Sequence, residues 1–145
     1  MLAHAEVPSG RAYEMAAAFR LSAKSATRSA KRLATKKDPD GRELLALSEE
    51  LPSTLRGLAQ VLELCAERDD WDSPVDPEGM VTPRTVWESV KAEVYPAAQT
   101  ASALFQAWDE GRAKPANEHV KSHAAAVLLT WNNLEDFGLE IFDAA

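Results

Sequence analysis

Arg20, Lys24, Arg28, Lys31 and Arg32 are spaced so that, on a helix, they project within about 120° of one another at 100° per residue. A row of cations on one helical face can follow a phosphate backbone or meet an acidic protein surface. It can also be a solvated face that balances acidic helices nearby. No aromatic residue is interleaved among these five to stack on bases, and the rest of the chain is acidic.

A second group has the opposite charge. Asp69, Asp70, Asp72, Asp76 and Glu78 crowd a short segment together with Trp71, Pro74, Pro77 and Gly79. Carboxylates at such density invite a calcium reading, but the loop of an EF-hand needs an oxygen ligand at its fifth position and glycine at its sixth. Counted from Asp70, those positions are Pro74 and Val75, and the twelfth is Val81 instead of glutamate. The segment therefore reads as an acidic connector over 69–81. Connectors of this length are more often functional than short ones, and Trp71 is placed either to dock on the fold or to face a partner.

Histidines and the cysteine supply the remaining chemistry. His119 and His123 are four residues apart, which can put two imidazoles on one side of a metal. Two ligands do not make a site, and the Glu-x-x-His pattern of di-iron bundles is absent, because Ala116 and Val120 stand three residues before them. Both histidines read as boundary residues, His123 at the edge of an apolar stripe. Cys65 falls on a leucine stripe and reads as a small buried hydrophobe; as the lone cysteine it excludes an intramolecular disulfide. Gly-rich phosphate loops, Gly-x-Ser-x-Gly elbows and zinc-protease motifs are missing. No catalytic residue, metal or cofactor is assigned.

Arg112 and His119 enclose six residues, and this short stretch resembles the Arg-x(4–6)-His motif of HEPN ribonucleases, which are also small helical domains. The resemblance covers eight residues and implies an RNA-cleaving dimer. Family members normally carry a polar residue after the arginine, whereas Ala113 stands here, and Pro115 interrupts the segment.

The elements that must position these groups are helical. Alanine fills 26 of 145 positions and glycine only 6, which favours helix over strand. Ala16, Phe19, Ala23, Ala26, Ala30 and Leu33 step by three and four, and so do Trp87, Val90, Val94, Ala97, Ala101, Leu104 and Trp108. The same rhythm links Val120, Ala124, Val127, Trp131, Leu134, Gly138 and Ile141. Another stripe runs Leu44, Leu47, Leu51, Leu55, Leu58, Leu62 and Cys65, slipping by one residue near Pro52, where a kink or short break is predicted. Pro96 predicts a kink in the following helix. Helices are expected over roughly 10–37, 41–68, 83–110 and 116–142. Ser9 is a candidate cap for the first, Asp38 to Gly41 a turn after it, and Thr82-Pro83 a start for the third. Gly111 can end the third, and the fourth can start near Lys114 or Asn117. The expected fold is all-α, one four-helix bundle spanning 1–145 with proline-kinked second and third helices.

Charge is unevenly shared. Residues 1–42 hold nine Lys/Arg against four Asp/Glu, and residues 43–145 hold seven against nineteen, for a net −7. The longest apolar run, Ala124 to Leu129, is far short of the roughly 20 residues that span a bilayer, and the first eight residues lack the apolar core of a signal peptide. These features point to an acidic, cytoplasmic protein, monomeric or homodimeric. The function they favour is a non-enzymatic protein–protein interaction module, a small regulatory, inhibitor or accessory protein. Asp69, Asp70, Trp71, Asp72, Asp76 and Glu78 are its candidate partner-binding residues. The alternatives are nucleic-acid binding through the first helix and the RNA-cleaving dimer.

Overall fold

A computed structural model of the chain describes residues 8–35, 38–112 and 118–143. Five α-helices follow in order: α1 (Ser9–Leu33), α2 (Pro39–Leu47), α3 (Leu51–Arg68), α4 (Pro83–Asp109) and α5 (Glu118–Gly138), the last running into a π-helical turn, Leu139–Asp143. The all-α class expected from the stripes holds. The second of the four expected helices is divided into α2 and α3 by the turn Ser48–Glu50, immediately before Pro52, as the slipped leucine rhythm predicted.

α1 packs most broadly on α3 and next on α5; α4 packs on α5, and α3 on α4, which closes a four-membered ring. Neighbours run antiparallel. Ser9 Oγ at the start of α1 meets the carbonyl of Ala66 at the end of α3. Arg11 reaches Glu140 beyond α5 with two hydrogen bonds of 2.8 and 3.1 Å. Trp87, in the second turn of α4, donates its indole N–H to the Leu134 carbonyl near the end of α5 at 2.9 Å.

The stripes supply the core. Ala16, Phe19, Ala23, Ala26 and Leu33 of α1 are buried, as are Leu51, Leu55, Leu58, Leu62 and Cys65 of α3. Their neighbours Trp87, Val90, Val94, Ala97 and Ala101 complete the interior with Val120, Ala124, Val127 and Leu134. Small residues let α1 approach closely, and the indole of Trp87 fills the space opposite. Gly138 makes room for that indole: a Cβ there would lie 1.7 Å from Trp87 Cζ2. Leu47, although in the leucine rhythm, is exposed, because α2 ends there and the chain turns.

Termini follow local chemistry. Thr82 caps α4 in a reciprocal pair with Thr85, with Pro83 at the first helical position. Asp38, expected in a turn, instead caps α2 by accepting from the N–H groups of Asp40 and Gly41, and Pro39 begins that helix. Ser9 does not cap α1; it is the first helical residue and its hydroxyl is engaged by α3. α1 ends at Leu33, the last residue of its stripe and short of the expected range 10–37. Gly111, at φ +71°, lies two residues past the end of α4. α4 runs on through Pro96, which lies on its solvent side with Ala92, the residue whose carbonyl the proline leaves without a donor. The expected starts of the last helix at Lys114 and Asn117 lie outside the described residues. Among the described residues no helix is long and apolar enough to cross a membrane.

Candidate functional site

The alanine stripe that packs α1 into the bundle dictates what its opposite side presents. Lys24, Arg28, Lys31 and Arg32 are exposed there, and among the described residues none of the four forms an ion pair. Arg20 differs. Its guanidinium makes two hydrogen bonds to Glu63 of α3, at 2.7 and 3.2 Å, and that contact holds it more firmly in its charged form. Two apolar side chains share the cationic face: Leu21 is 65% exposed and Tyr13 44%. Relative to Arg20 they project at about 100° and about 20°, within the arc of the cations. The face is therefore amphipathic, with Leu21 one turn before the first of the unpaired cations, Lys24.

The acidic connector is an ordered loop tied to itself. Arg68 donates to the carbonyls of Asp70 and Pro74, both at 2.9 Å, and to that of Ser73. The Asp70 carboxylate accepts the N–H groups of Asp72 and Ser73. The Ser73 hydroxyl and these N–H groups hold its pKa down to about 2. Asp76 accepts from Val81 N–H at 2.6 Å and from Met80 N–H at 3.0 Å, and these bonds hold its carboxyl below the usual range. Trp71 is only 5% exposed and meets the Phe142 ring edge-on at 6.5 Å. Of the two placements open to Trp71, the structure adopts docking on the fold. Asp69, Asp72 and Glu78 are on the loop's surface.

His123 is not a boundary residue. It is 1% exposed and bridges three parts of the bundle. Nδ1 is 2.6 Å from Ser29 Oγ of α1, and Nε2 is 2.8 Å from Ser48 Oγ in the turn after α2. Both hydroxyls also face a backbone carbonyl, Ser48 that of Leu44 at 2.6 Å and Ser29 that of Ala26 at 3.2 Å. A neutral ring carries one N–H, and the shorter Ser48–Leu44 bond favours placing it on Nε2, with Nδ1 accepting from the Ser29 hydroxyl. Burial pushes the pKa of this imidazole down.

The other reactive groups are similarly placed for structure. Cys65 is fully buried, and burial raises its thiol to about 11, so it is a poor nucleophile. Among the described residues no group of three or more His, Cys, Asp or Glu is arranged to hold a metal ion. Arg112 pairs with Glu110 at 2.5 Å. The groove beside His119 is lined by Arg32, Glu118, Lys121 and Ser122, not by Arg112, and the segment joining Arg112 to α5 lies outside the described residues. An open groove of about 470 Å³ between α4 and α5 has Tyr95 and Trp131 at one end, their rings 5.5 Å apart, with Gln99, Gln106 and Asn132 along it.

No protein family, curated protein or solved structure matches this chain. Reasoning from the sequence missed Ser29 and Ser48, and placed Leu21 and Tyr13 in no pattern. Helical spacing was the available signal: both apolar residues fall within the arc of the basic residues.

Proposed function

We propose that the chain is a non-enzymatic protein–protein interaction module that takes an acidic partner on the exposed face of α1. The observation that carries the reading is the combination on that face of four cations that form no ion pair among the described residues and an exposed Leu21. Cations that only balanced the chain's own acids would be expected to pair as Arg20 does with Glu63. Burying Leu21 in an interface would contribute about 1–2 kcal/mol, and the surrounding charge would act mainly by speeding encounter with an acidic surface. α1 carries six Lys/Arg and one Asp/Glu, so this face is a positive island on a negative molecule. The acidic loop offers less to a partner, because Trp71 is spent on the core and Asp70 and Asp76 on their own backbone.

Nucleic-acid binding is the second reading, favoured by the alignment of Lys24, Arg28, Lys31 and Arg32 along one face. Leu21, exposed one turn before Lys24 on the same face, argues for a protein. Immobilised chain is tested against lysate proteins at low salt and against a DNA and RNA panel across a salt titration. The expected result is a retained protein that is lost with Leu21→Asp and with reversal of the four cations to glutamate, helical content being unchanged. Nucleic acid bound with steep salt dependence, lost on charge reversal but kept by Leu21→Asp, would replace the first reading with the second. Retention unaffected by either variant would remove α1 as the surface.

A further inference from the structure

We propose that His123 is an acid-sensitive latch: on taking up a proton it releases α2 and the Ser48–Glu50 turn from α1, α4 and α5 while the other helices stay packed. The geometry begins with how little else holds α2. The helix has nine residues, of which only Gly41 and Leu44 are buried. Ser48, at its C-terminal end, is the third attachment, and its hydroxyl is bonded to His123. Clefts flank the segment on both sides. One, of about 500 Å³, lies between α1 and α2 and is lined by Lys31, Ala34, Leu45 and Ser48. The other, of about 130 Å³, lies towards α4 and is lined by Ser48, Glu49, Thr54 and Glu93. Both reach Ser48, so a modest outward movement of α2 brings water to the imidazole.

Protonation strains this arrangement through charge. The Ser29 hydroxyl can turn to the Ala26 carbonyl, 3.2 Å away, and accept from a protonated Nδ1, so the hydrogen bonds survive. The buried cation still has no counter-ion. Facing groups on α1 are the Ser29 hydroxyl and, at the surface, Lys31; on the turn they are Ser48 and the exposed Glu49 and Glu50. On α2, Arg42 and Glu43 are exposed; on α4, Glu93 lines the outer cleft and accepts from Thr54 of α3; on α5, His119 and Lys121 lie at the surface. None of these charges offsets the effect of burial on His123. A buried charge without a partner is relieved by water, and the wall easiest to move is α2.

The sign follows from linkage. The open form titrates near the ordinary value of 6.5 and the closed form lower. Closure is therefore fully favoured above about 6.5 and weakens as pH falls, until the closed form also protonates. In that window the open population rises by up to about tenfold per pH unit, and the rise levels off where the closed form also protonates.

Amide hydrogen exchange of the full chain, expressed as protection factors to remove the intrinsic pH dependence, tests this between pH 7.5 and 5. Protection of residues 43–48 should fall severalfold on acidification, with no dependence on low concentrations of urea, while α1 and α3 amides keep theirs. In His123→Gln that fall should vanish. Should this variant not fold, the His123 ring proton shifts of the parent chain give the second readout, and they should titrate below 6.5 in step with α2 exchange. Protection of α2 that is independent of pH, that falls only together with the whole bundle, or that persists in falling in His123→Gln overturns the latch.

Discussion

Gly138→Ala tests the packing logic at its tightest point. A Cβ at that position would lie 1.7, 2.1 and 2.5 Å from Cζ2, Cε2 and Nε1 of Trp87, all closer than non-bonded atoms approach. Trp87 cannot shift without cost. It is 8% exposed, its indole donates to Leu134, its ring lies 5.4 Å from that of Phe142, and Lys91 sits over it at 4.9 Å. Overpacking costs about 1–3 kcal/mol, and an indole N–H parted from its carbonyl in a buried site costs about 1–3 more. The expected destabilisation is therefore about 2–6 kcal/mol. With a urea dependence of about 2 kcal/mol per molar, the unfolding midpoint falls by roughly 1–3 M. Equilibrium urea unfolding followed by far-ultraviolet circular dichroism measures it, and the near-ultraviolet tryptophan signal should change in the folded variant. A midpoint within about 0.3 M of the parent would refute the reasoning, because it would mean that α4 and α5 do not meet at Gly138 as described.

Two further outcomes come from the same interior. Gly57, exposed within α3 with nothing inside 4 Å of its would-be Cβ, should respond oppositely: Gly57→Ala stabilises by about 0.5–1 kcal/mol, read in the same unfolding assay. Cys65 should resist a thiol reagent at pH 8 in the folded chain, where about one thiol in a thousand is ionised given its pKa of about 11, and react readily in denaturant; prompt reaction in the native state would contradict its burial.

The fold was legible where side chains were apolar and became obscure where polar residues shared the same spacing. The stripes of α3, α4 and α5 gave most of the core, although Leu104, Trp108 and Trp131, which share their rhythm, are only half-buried. Pro52 announced the turn before α3, and Thr82-Pro83 announced the start of α4. His123 was misplaced because only apolar residues were counted. Counted by position, Val120, His123, Val127, Thr130 and Leu134 step by three and four and are all buried. Ser22, Ala26, Ser29 and Leu33 do the same on α1. A second stripe thus runs beside the first on each helix, and of its polar members Ser29 pairs with His123 and Thr130 donates to the Ala126 carbonyl.

The candidate surface was legible for a related reason and to a similar limit. Spacing alone placed Lys24, Arg28, Lys31 and Arg32 together, and the helix keeps them so. Spacing could not say that Arg20 would be taken by Glu63, a residue 43 positions away whose approach depends on how α1 and α3 pack. Nor could it separate the acidic loop's carboxylates by role, since Asp70 and Asp76 are set apart from Asp69 and Glu78 by backbone N–H groups that only a formed turn supplies. Local periodicity determines which residues share a face; long-range packing decides which of them are already occupied. On this chain that second step leaves Lys24, Arg28, Lys31 and Arg32 of α1 open while it closes the loop on itself, and it is why the proposed interaction surface lies on the helix.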